Sequence, residues 1–540
     1  MRPPFQPQPP KLNKALISRL TQLLTQAVDA QNKGLIQEAK SYYQQVVKLQ
    51  PGNFECWHVL GIFEYQNKNY AESQRLFRKV ISLQPRYAPA HCNLGLVLQD
   101  MGDVAGSILC YDQAIGLDPT LAAAYNNKGN SLKVLGNAPQ ALANFLSAVC
   151  FVPDYPEALY NAAEVYKSLD LWDLSLEYYN RAIQARIDYS EAFNNRGLLL
   201  QFLNRVDEAI ESFNKCIEIL PSYAPAHSNK SLALLLKGDF EQGWREHEWR
   251  WKMAEFTSKQ RNFTQPQWTG QYSLDGGLSG KKILIHCEQG IGDTLQFCRY
   301  LPFVFKTGAE VFVEVQDSLY SLMTQIVSPS HLIRQGEPLP EFDFHCPMIS
   351  LPYAVFEFHP EIPAYEHYLK PSESTKMRWS HRLGIQRKKR IGWVWSGNQF
   401  HHNDAYRSLP LQTLKPFIKL LENEFEQFSL QKDLRPGEQE ILNDTPGMLT
   451  LSQSIEDFED TAALCALMDI VITVDTSVAH LSGSLGRPTW LMLPFAPDWR
   501  WMLNRSDSPW YPSFKLFRQK AISDWPSVLR CVCAELEKHV

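Results

Sequence analysis

From residue 20 to about 257 the apolar positions recur on a helical spacing within blocks of 34 residues. After a Gly-, Ser- and Gln-rich stretch at 258–279 they contract into short apolar runs that alternate with amphipathic segments. The first pattern predicts packed helix pairs and the second predicts α/β architecture. KKILIHCEQGIGDTLQFCRYLPFVF predicts a buried strand at 282–287, a glycine turn at Gly290–Gly292 and a helix from about Asp293; EVFVEV predicts a strand at 310–315. IGWVWSG (391–397) opens a second series, with a helix at 411–422, a strand ending in SLQK near 432, a helix at 460–468 and a strand at 470–474 that runs straight into DTSVAHLSGSLG. The expected organisation is a tail (1–19), about seven repeats (20–257), a linker (258–279) and two α/β lobes, 280–372 and 388–540, joined through the charged run SHRLGIQRKKR.

The repeat is regular enough to number. With Pro51, Pro85, Pro119, Pro153 and Pro221 as the thirty-second residue of each unit, and Ile187 in the vacant slot, position 24 is Tyr43, Phe77, Tyr111, Phe145, Tyr179 and Phe213. Position 8 is Gly61, Gly95, Gly129, Ala163 and Gly197, small enough for two helices to approach closely, and position 20 is Ala39, Ala141 and Ala209 with Ser between. Such a pattern resembles the tetratricopeptide family across residues 20 to about 257, which implies an α-solenoid whose hairpins bury their apolar faces only by stacking. A seventh unit from 224 keeps His227 and Leu234 but ends in EQGWREHEWRW, whose Trp244, Trp249 and Trp251 predict a cap packed against the α/β half of the chain. Position 6 is Asn93, Asn127, Asn161, Asn195 and Asn229 in five successive units. Asn in a helix interior costs up to about 0.7 kcal/mol relative to Ala. An amide there suits an extended peptide backbone lying in the groove; the alternative is an ordinary consensus residue copied by duplication.

In open parallel sheets, ligands sit outside the carboxyl ends of the strands. Those ends carry Glu288 to Asp293 in the first lobe, and Ser396, Gly397, Asn398, Gln431, Lys432 and Asp475 to His480 in the second. G-I-G-D-T, the W-S-G-N strand end and D-T-S-V-A-H-L-S-G-S-L-G-R-P together resemble the heptosyltransferase-like glycosyltransferases of GT-B fold over about 260 residues. A tetratricopeptide array in front of such lobes is similar to the arrangement of the O-linked N-acetylglucosamine transferases. The resemblance implies an inverting, metal-independent transfer with Asp293 as the base. Sugar transfer from a nucleotide diphosphate needs a base for the acceptor hydroxyl and dipolar or positive stabilisation of the leaving group. A helix opening at Thr476 and Ser477 aims unpaired N–H groups at phosphate, with His480 one turn later. Lys432 and Arg407 are candidate phosphate cations, and Gly290, Gly292 and Gly397 permit close approach. Asp293 and Thr294, like Asp475 and Thr476, are equally good helix N-caps. The aromatic run Phe495, Trp499, Trp501, Trp510 and Tyr511 reads as packing between lobes or as a sugar platform. Arg487 and Pro488 precede a strand at the end opposite the ligand and read as structural.

Composition narrows the classes. The chain of 540 residues is 44% hydrophobic and 21% charged, which excludes disordered and collagen-like proteins. Lys plus Arg (53) against Asp plus Glu (58) leaves −5, so no basic excess favours nucleic acid. Eleven scattered cysteines without a C-x-x-C pair predict reduced thiols and a cytoplasmic location. Neither a secretory signal nor an apolar run long enough to span a bilayer is expected. His401 and His402 with Asp404 lack a third ligand at helix-defined spacing, so neither metal nor cofactor is expected. The expected function is transfer of a sugar from a nucleotide-diphosphate donor, ADP-heptose-like or a UDP-sugar, to a protein or peptide acceptor in the repeat groove. The alternatives are a scaffold with a decayed transferase domain and a transferase for glycans.

Overall fold

The computed structural model describes residues 14–254, 256, 258, 260–270, 277–400 and 403–539. Most of the expected tail therefore lies outside the described residues, and His401 and His402 do as well. The chain divides into two compact units, with the boundary between Leu199 and Leu200.

The first unit is a stack of helix hairpins, such as Phe54–Gln66 with Tyr70–Leu83 and Ala88–Asp100 with Val104–Leu117. Each hairpin closes by one repeated contact. A Cβ on Gly61, Gly95 or Gly129 would stand 2.8, 2.6 or 2.5 Å from the ring of Phe77, Tyr111 or Phe145. Positions 8 and 24 thus interlock as the pattern required, and each aromatic ring is at most 1% exposed. Fully burying such a ring contributes about 1.5–3 kcal/mol. At position 20, Ser73 and Ser175 donate to the position-8 carbonyls of Gly61 (2.8 Å) and Ala163 (2.9 Å), so serine there satisfies a buried hydroxyl. The signature proline has a partner too: Trp57, His91 and Tyr125, all at position 4, donate to the carbonyls of Pro51, Pro85 and Pro119 at 2.9–3.2 Å.

The second unit begins with the last repeat helices, Val206–Ile219, Ala224–Lys237 and Phe240–His247, and continues into two parallel sheets. β1 (Lys282–His286), β2 (Glu310–Val315), β3 (Leu332–Arg334) and β4 (Phe344–Pro347) form the first sheet in the order β3-β2-β1-β4. β5 (Lys389–Val394), β6 (Phe425–Ser429), β7 (Met448–Thr450), β8 (Ile470–Val474), β9 (Thr489–Leu493) and β10 (Phe514–Arg518) form the second, in the order β10-β9-β8-β5-β6-β7. The apolar runs of β8 and β9 are buried on both faces, as helices covering both sides demand.

Two boundaries differ from expectation. The stretch 258–279 is not a plain linker: Gln267 bridges to His345 beside β4, Trp268 N–H donates to the His345 carbonyl (2.8 Å), and Trp268 is 1% exposed. The charged run SHRLGIQRKKR (380–390) starts within helix Glu373–Leu383 and ends in β5 (Lys389–Val394). Ser372 caps helix Glu373–Leu383 by accepting from Thr375 N–H, and the one deeply buried side chain of that helix, Trp379, donates to Asp460 (2.8 Å) in the second sheet's core. Trp379 alone of that helix is deeply buried, and a tryptophan ring carries a large apolar area.

The interlock predicts opposite signs for one substitution in adjacent helices. Gly116 in Val104–Leu117 has nothing within 4 Å of its missing Cβ, so Gly116→Ala should stabilise the protein by about 0.5–1 kcal/mol. Gly95→Ala should instead destabilise it by about 1–3 kcal/mol through overpacking on Tyr111. Urea unfolding of both variants checks this; equal gains would remove the steric account of position 8.

Candidate functional site

At the end of β1 the chain turns through Cys287–Gly290, with Gln289 in the left-handed region (φ 56°), and enters helix Ile291–Phe297. Glu288, the first strand-end carboxylate, is committed elsewhere. Arg250 reaches it from the repeat cap at 2.7 and 3.1 Å while also contacting Glu248 and Ser350, and both partners are almost completely buried. Asp293 sits at the third helical position. Its Oδ2 accepts from Gly290 N–H (2.9 Å), half of a capping box, and its Oδ1 accepts from Arg500. Burial raises the Asp293 carboxyl above its ordinary range, against the pull of Arg500 and the Gly290 amide. Thr294 is turned inward, donating to Gln316 (2.9 Å) at the end of β2, so it is no cap.

In the second sheet β5 pairs with β8, Val394 against Thr473, so Ser396 and Asp475, each two residues past that pair, stand at the ends of adjacent strands. Ser396 is 3% exposed, and among the described residues its Oγ has no hydrogen-bond partner. The guanidinium of Arg407 lies against Gly397, where a Cβ would stand 2.7 Å from Nη2, and its buried Nε has no partner among the described residues. Helix Ser477–Ser484 opens at Thr476 in extended conformation with no side-chain cap. Asn398 folds its own loop by accepting from Phe400 N–H (3.0 Å). Gln431 is structural: its Oε1 accepts from the N–H groups of Trp395 and Ser396 (3.3 and 3.2 Å) and so sets the turn. Lys432 is exposed and donates to the Glu456 carbonyl.

The two strand-end turns meet through a residue that sequence reasoning missed. Arg500, in the short turn Trp499–Trp501, donates to Asp293 of the first lobe, to Gln296 and to Asp498 (3.0 Å), and its guanidinium lies 4.3 Å from the Trp499 ring centroid. Asp475 shares the same field. Burial first, then Asp498, pushes its carboxyl up to about 6 against the opposing charges of Arg500 and Arg407. Gly292 lets the turns close: a Cβ there would lie 3.0 Å from His480 Cδ2 and 3.5 Å from Ser477 Cα. His480 is buried, stacked on Trp501 (5.4 Å between centroids) and bonded to the Tyr511 hydroxyl (2.9 Å). The signal available in the sequence was Asp498 and Arg500, two opposite charges inside the aromatic run FAPDWRW.

The aromatic run is packing material. Trp499 and Trp510 meet Trp244 of the repeat cap edge-to-face at 5.3 and 6.5 Å, and Phe297 joins them. Arg487 donates to the Met468 carbonyl before β9, at the far end of the strands. Asp404 accepts from Arg435 and from Ser408. Among the described residues no group of three or more His, Cys, Asp or Glu is placed to hold a metal ion, and no helix is long and apolar enough to cross a membrane. No disulfide joins any of the cysteines.

The asparagine row has a structural partner that the groove reading did not foresee. Four of the amides reach back 35 residues to the preceding hairpin: Asn93 to His58 (2.9 Å), Asn127 to Cys92 Sγ (3.9 Å), Asn161 to Asn126 (3.0 Å) and Asn195 to Tyr160 (2.7 Å). The helix-propensity cost is offset by stitching between repeats. Asn229 lies in Ala224–Lys237 of the other unit.

Models of the tetratricopeptide repeat match residues 24–88, 88–121, 126–191 and 190–223. The N-terminal half is a tetratricopeptide-repeat array. The chain is also 23% identical over 334 residues to Protein FlbA of Caulobacter vibrioides, covering 56% of this chain and 53% of that protein. The chain thus spans about half the length of this curated relative. Among solved structures, tetratricopeptide protein YrrB, described as having an unusual peptide-binding site, is 25% identical over 32% of this chain and 89% of its own, with a TM-score of 0.29. PilF of Pseudomonas aeruginosa is 14% identical over 40% and 98%, with a TM-score of 0.36.

Asp475 yields a pH prediction. Because its folded-state carboxyl is raised from 3.8 to about 6, the contribution to stability is fully present below the lower value and is lost as pH rises to the higher. The stability advantage of Asp475→Asn over the parent should therefore grow from about pH 4 to about 6 and stay level above. Urea unfolding across this range measures it, and a constant or shrinking difference contradicts the environment described.

Proposed function

We propose that the second unit is a glycosyltransferase of GT-B fold that takes a nucleotide-diphosphate sugar at the carboxyl end of the second sheet. The repeat array recruits the protein or peptide that receives the sugar. The observation that carries this reading is the set of unspent donors around β5 and β8: Ser396 Oγ, Arg407 Nε and the uncapped opening of Ser477–Ser484. Buried polar groups are nearly always paired. Donors left open at the mouth of adjacent parallel strands suit an anion, and a helix N-terminus adds its dipole to the same end.

The chemistry is built from the residues in place. The acceptor hydroxyl oxygen attacks the anomeric carbon while the bond from that carbon to the diphosphate oxygen breaks, the electron pair leaving with the diphosphate. The hydroxyl proton passes to Asp293, and attack opposite the leaving group inverts the anomeric centre. Arg407, Ser396 and the backbone N–H groups after Thr476 take up the charge that develops on the leaving oxygen, while Arg500 holds Asp293 in place. Gly290, Gly292 and Gly397 keep side chains out of the path. The reaction in this form uses no metal, and the tetratricopeptide array supports a protein or peptide partner. The asparagine amides contribute to that groove chiefly by fixing its curvature.

Thermal-shift measurements with ADP-, UDP- and GDP-sugars test the proposal, since a ligand at 100 times its Kd stabilises by about 2.7 kcal/mol. One of the three should raise the midpoint of the parent, and Arg407→Gln should diminish that rise. With that donor, Asp293→Asn should lose transfer by roughly 100- to 10,000-fold while retaining donor binding. No shift with any of the three would leave the tetratricopeptide scaffold as the function of the chain.

A further inference from the structure

A chain of hydroxyls leads from His480 into the first lobe, and its far end fixes the direction of every bond. Nδ1 of His480 lies 2.9 Å from the Tyr511 hydroxyl, which is also hydrogen-bonded to the Tyr368 hydroxyl. Tyr368 accepts from Arg299 Nη2 (2.9 Å) and stands 2.8 Å from the Leu295 carbonyl, which has no proton to give. Two oxygens that close need a proton between them, so Tyr368 spends its own on Leu295 and can only accept from Tyr511. The proton of Tyr511 therefore goes to Tyr368, and Tyr511 accepts from His480. Neither ring has room to leave this arrangement: Trp501 stacks on His480 at 20° between planes, and Tyr511 is seated on Gly483, where a Cβ would stand 2.4 Å from its ring. The other ring nitrogen, Nε2, has no hydrogen bond among the described residues, and a Cβ on Gly292 would lie 3.8 Å from it.

We propose that His480 is held as the Nδ1–H tautomer, so that Nε2 presents a bare lone pair at the seam of the two glycine turns and accepts a hydrogen bond from a hydroxyl of the sugar being transferred. Phosphate, the partner expected from sequence, does not suit it: the diphosphate of a nucleotide sugar has no proton to give, and lone pairs repel. The choice of ligand rests on the function proposed above; the tautomer does not. In that function helix Ser477–Ser484 opens toward the diphosphate and Gly292 precedes the base Asp293, and what lies between a leaving group and the base is the sugar. The charged neighbours keep Nε2 free of a proton. Burial leads, and Arg500 and Arg299 add to it, in holding the imidazole well below its usual range. The carboxylates Asp293, Asp498 and Asp475 are drawn to Arg500 instead. Because the hydroxyl chain ends on a carbonyl, it cannot pass a proton onward, so His480 orients the sugar and leaves deprotonation to Asp293. Tyr511 is on this account a positioning residue.

The test uses the full chain labelled with 15N-histidine and two-bond 1H–15N correlation spectra from about pH 5.5 to 8. The His480 pattern, identified by its loss in His480→Phe and His480→Gln, should be that of Nδ1–H throughout. Tyr511→Phe keeps the ring on Gly483 but removes the acceptor, and should bring in the Nε2–H form. In calorimetry with the ADP-, UDP- or GDP-sugar that the parent binds, His480→Phe should weaken the sugar nucleotide by roughly 2- to 12-fold and leave the matching nucleoside diphosphate at parental affinity. An Nε2–H pattern in the parent, or a ring that titrates in this range, overturns the proposal. So does an unmixed Nδ1–H pattern in Tyr511→Phe, or a His480→Phe protein that loses the diphosphate as much as the sugar nucleotide or loses neither. Should none of the three sugar nucleotides bind the parent, the choice of ligand falls with the transferase reading, while the tautomer pattern of the parent still decides whether Nε2 is an acceptor.

Discussion

One guanidinium, that of Arg500, organises the second unit. A cation enclosed by Trp499, Phe297 and the two strand-end turns is costly unless anions accompany it. Asp293 from the first lobe and Asp498 from the second supply them, and Asp475 feels the same charge. Satisfying Arg500 therefore requires both lobes to present their glycine turns at one place. Gly292 then sets how closely they approach, since any side chain there would collide with His480. Arg250 repeats the logic at lower stakes for chemistry: by consuming Glu288 it anchors the repeat cap to β1 and removes one carboxylate from the site. Arg299 is held without a carboxylate. Carbonyl oxygens of Trp510 and Gln296, the Tyr368 hydroxyl and three aromatic rings surround it, which leaves its field unneutralised beside His480.

The array obeys a simpler constraint. Within a hairpin, a missing side chain at position 8 receives a ring from position 24, and between hairpins the position-6 amide reaches the first helix of the preceding hairpin. Both contacts are short-range in space and repeat in sequence, so the stack extends without a distant partner. This gives the asparagine row a structural reason to exist that is independent of any bound peptide.

Legibility followed the range of the interactions. The interlock of Gly95 with Tyr111 is local in sequence and recurs, so periodicity exposed it. β1, β5 and β8 were visible because buried parallel strands are largely apolar runs, and their ends located Asp293, Ser396 and Asp475. Composition misled where one large side chain decides burial, as with Trp268 in a stretch that reads as a linker and Trp379 in a helix that reads as charged. Arg500 was hidden for another reason: its partner Asp293 lies 207 residues away, and nothing local distinguishes a buried shared charge from a surface one. Lys432, chosen for its sign and place in sequence, instead caps a backbone carbonyl at the surface.

The central claim is that the turns closed by Arg500 leave an anion site on the second lobe, built from Ser396, Arg407 and the opening of Ser477–Ser484. Hydrogen exchange read by mass spectrometry, with and without ADP and UDP, tests it most directly. The account predicts that a diphosphate slows exchange in peptides covering 394–398 and 475–479 and leaves the peptides of 54–134 unchanged. Protection confined to other segments, or none with either nucleotide at millimolar concentration, would contradict it.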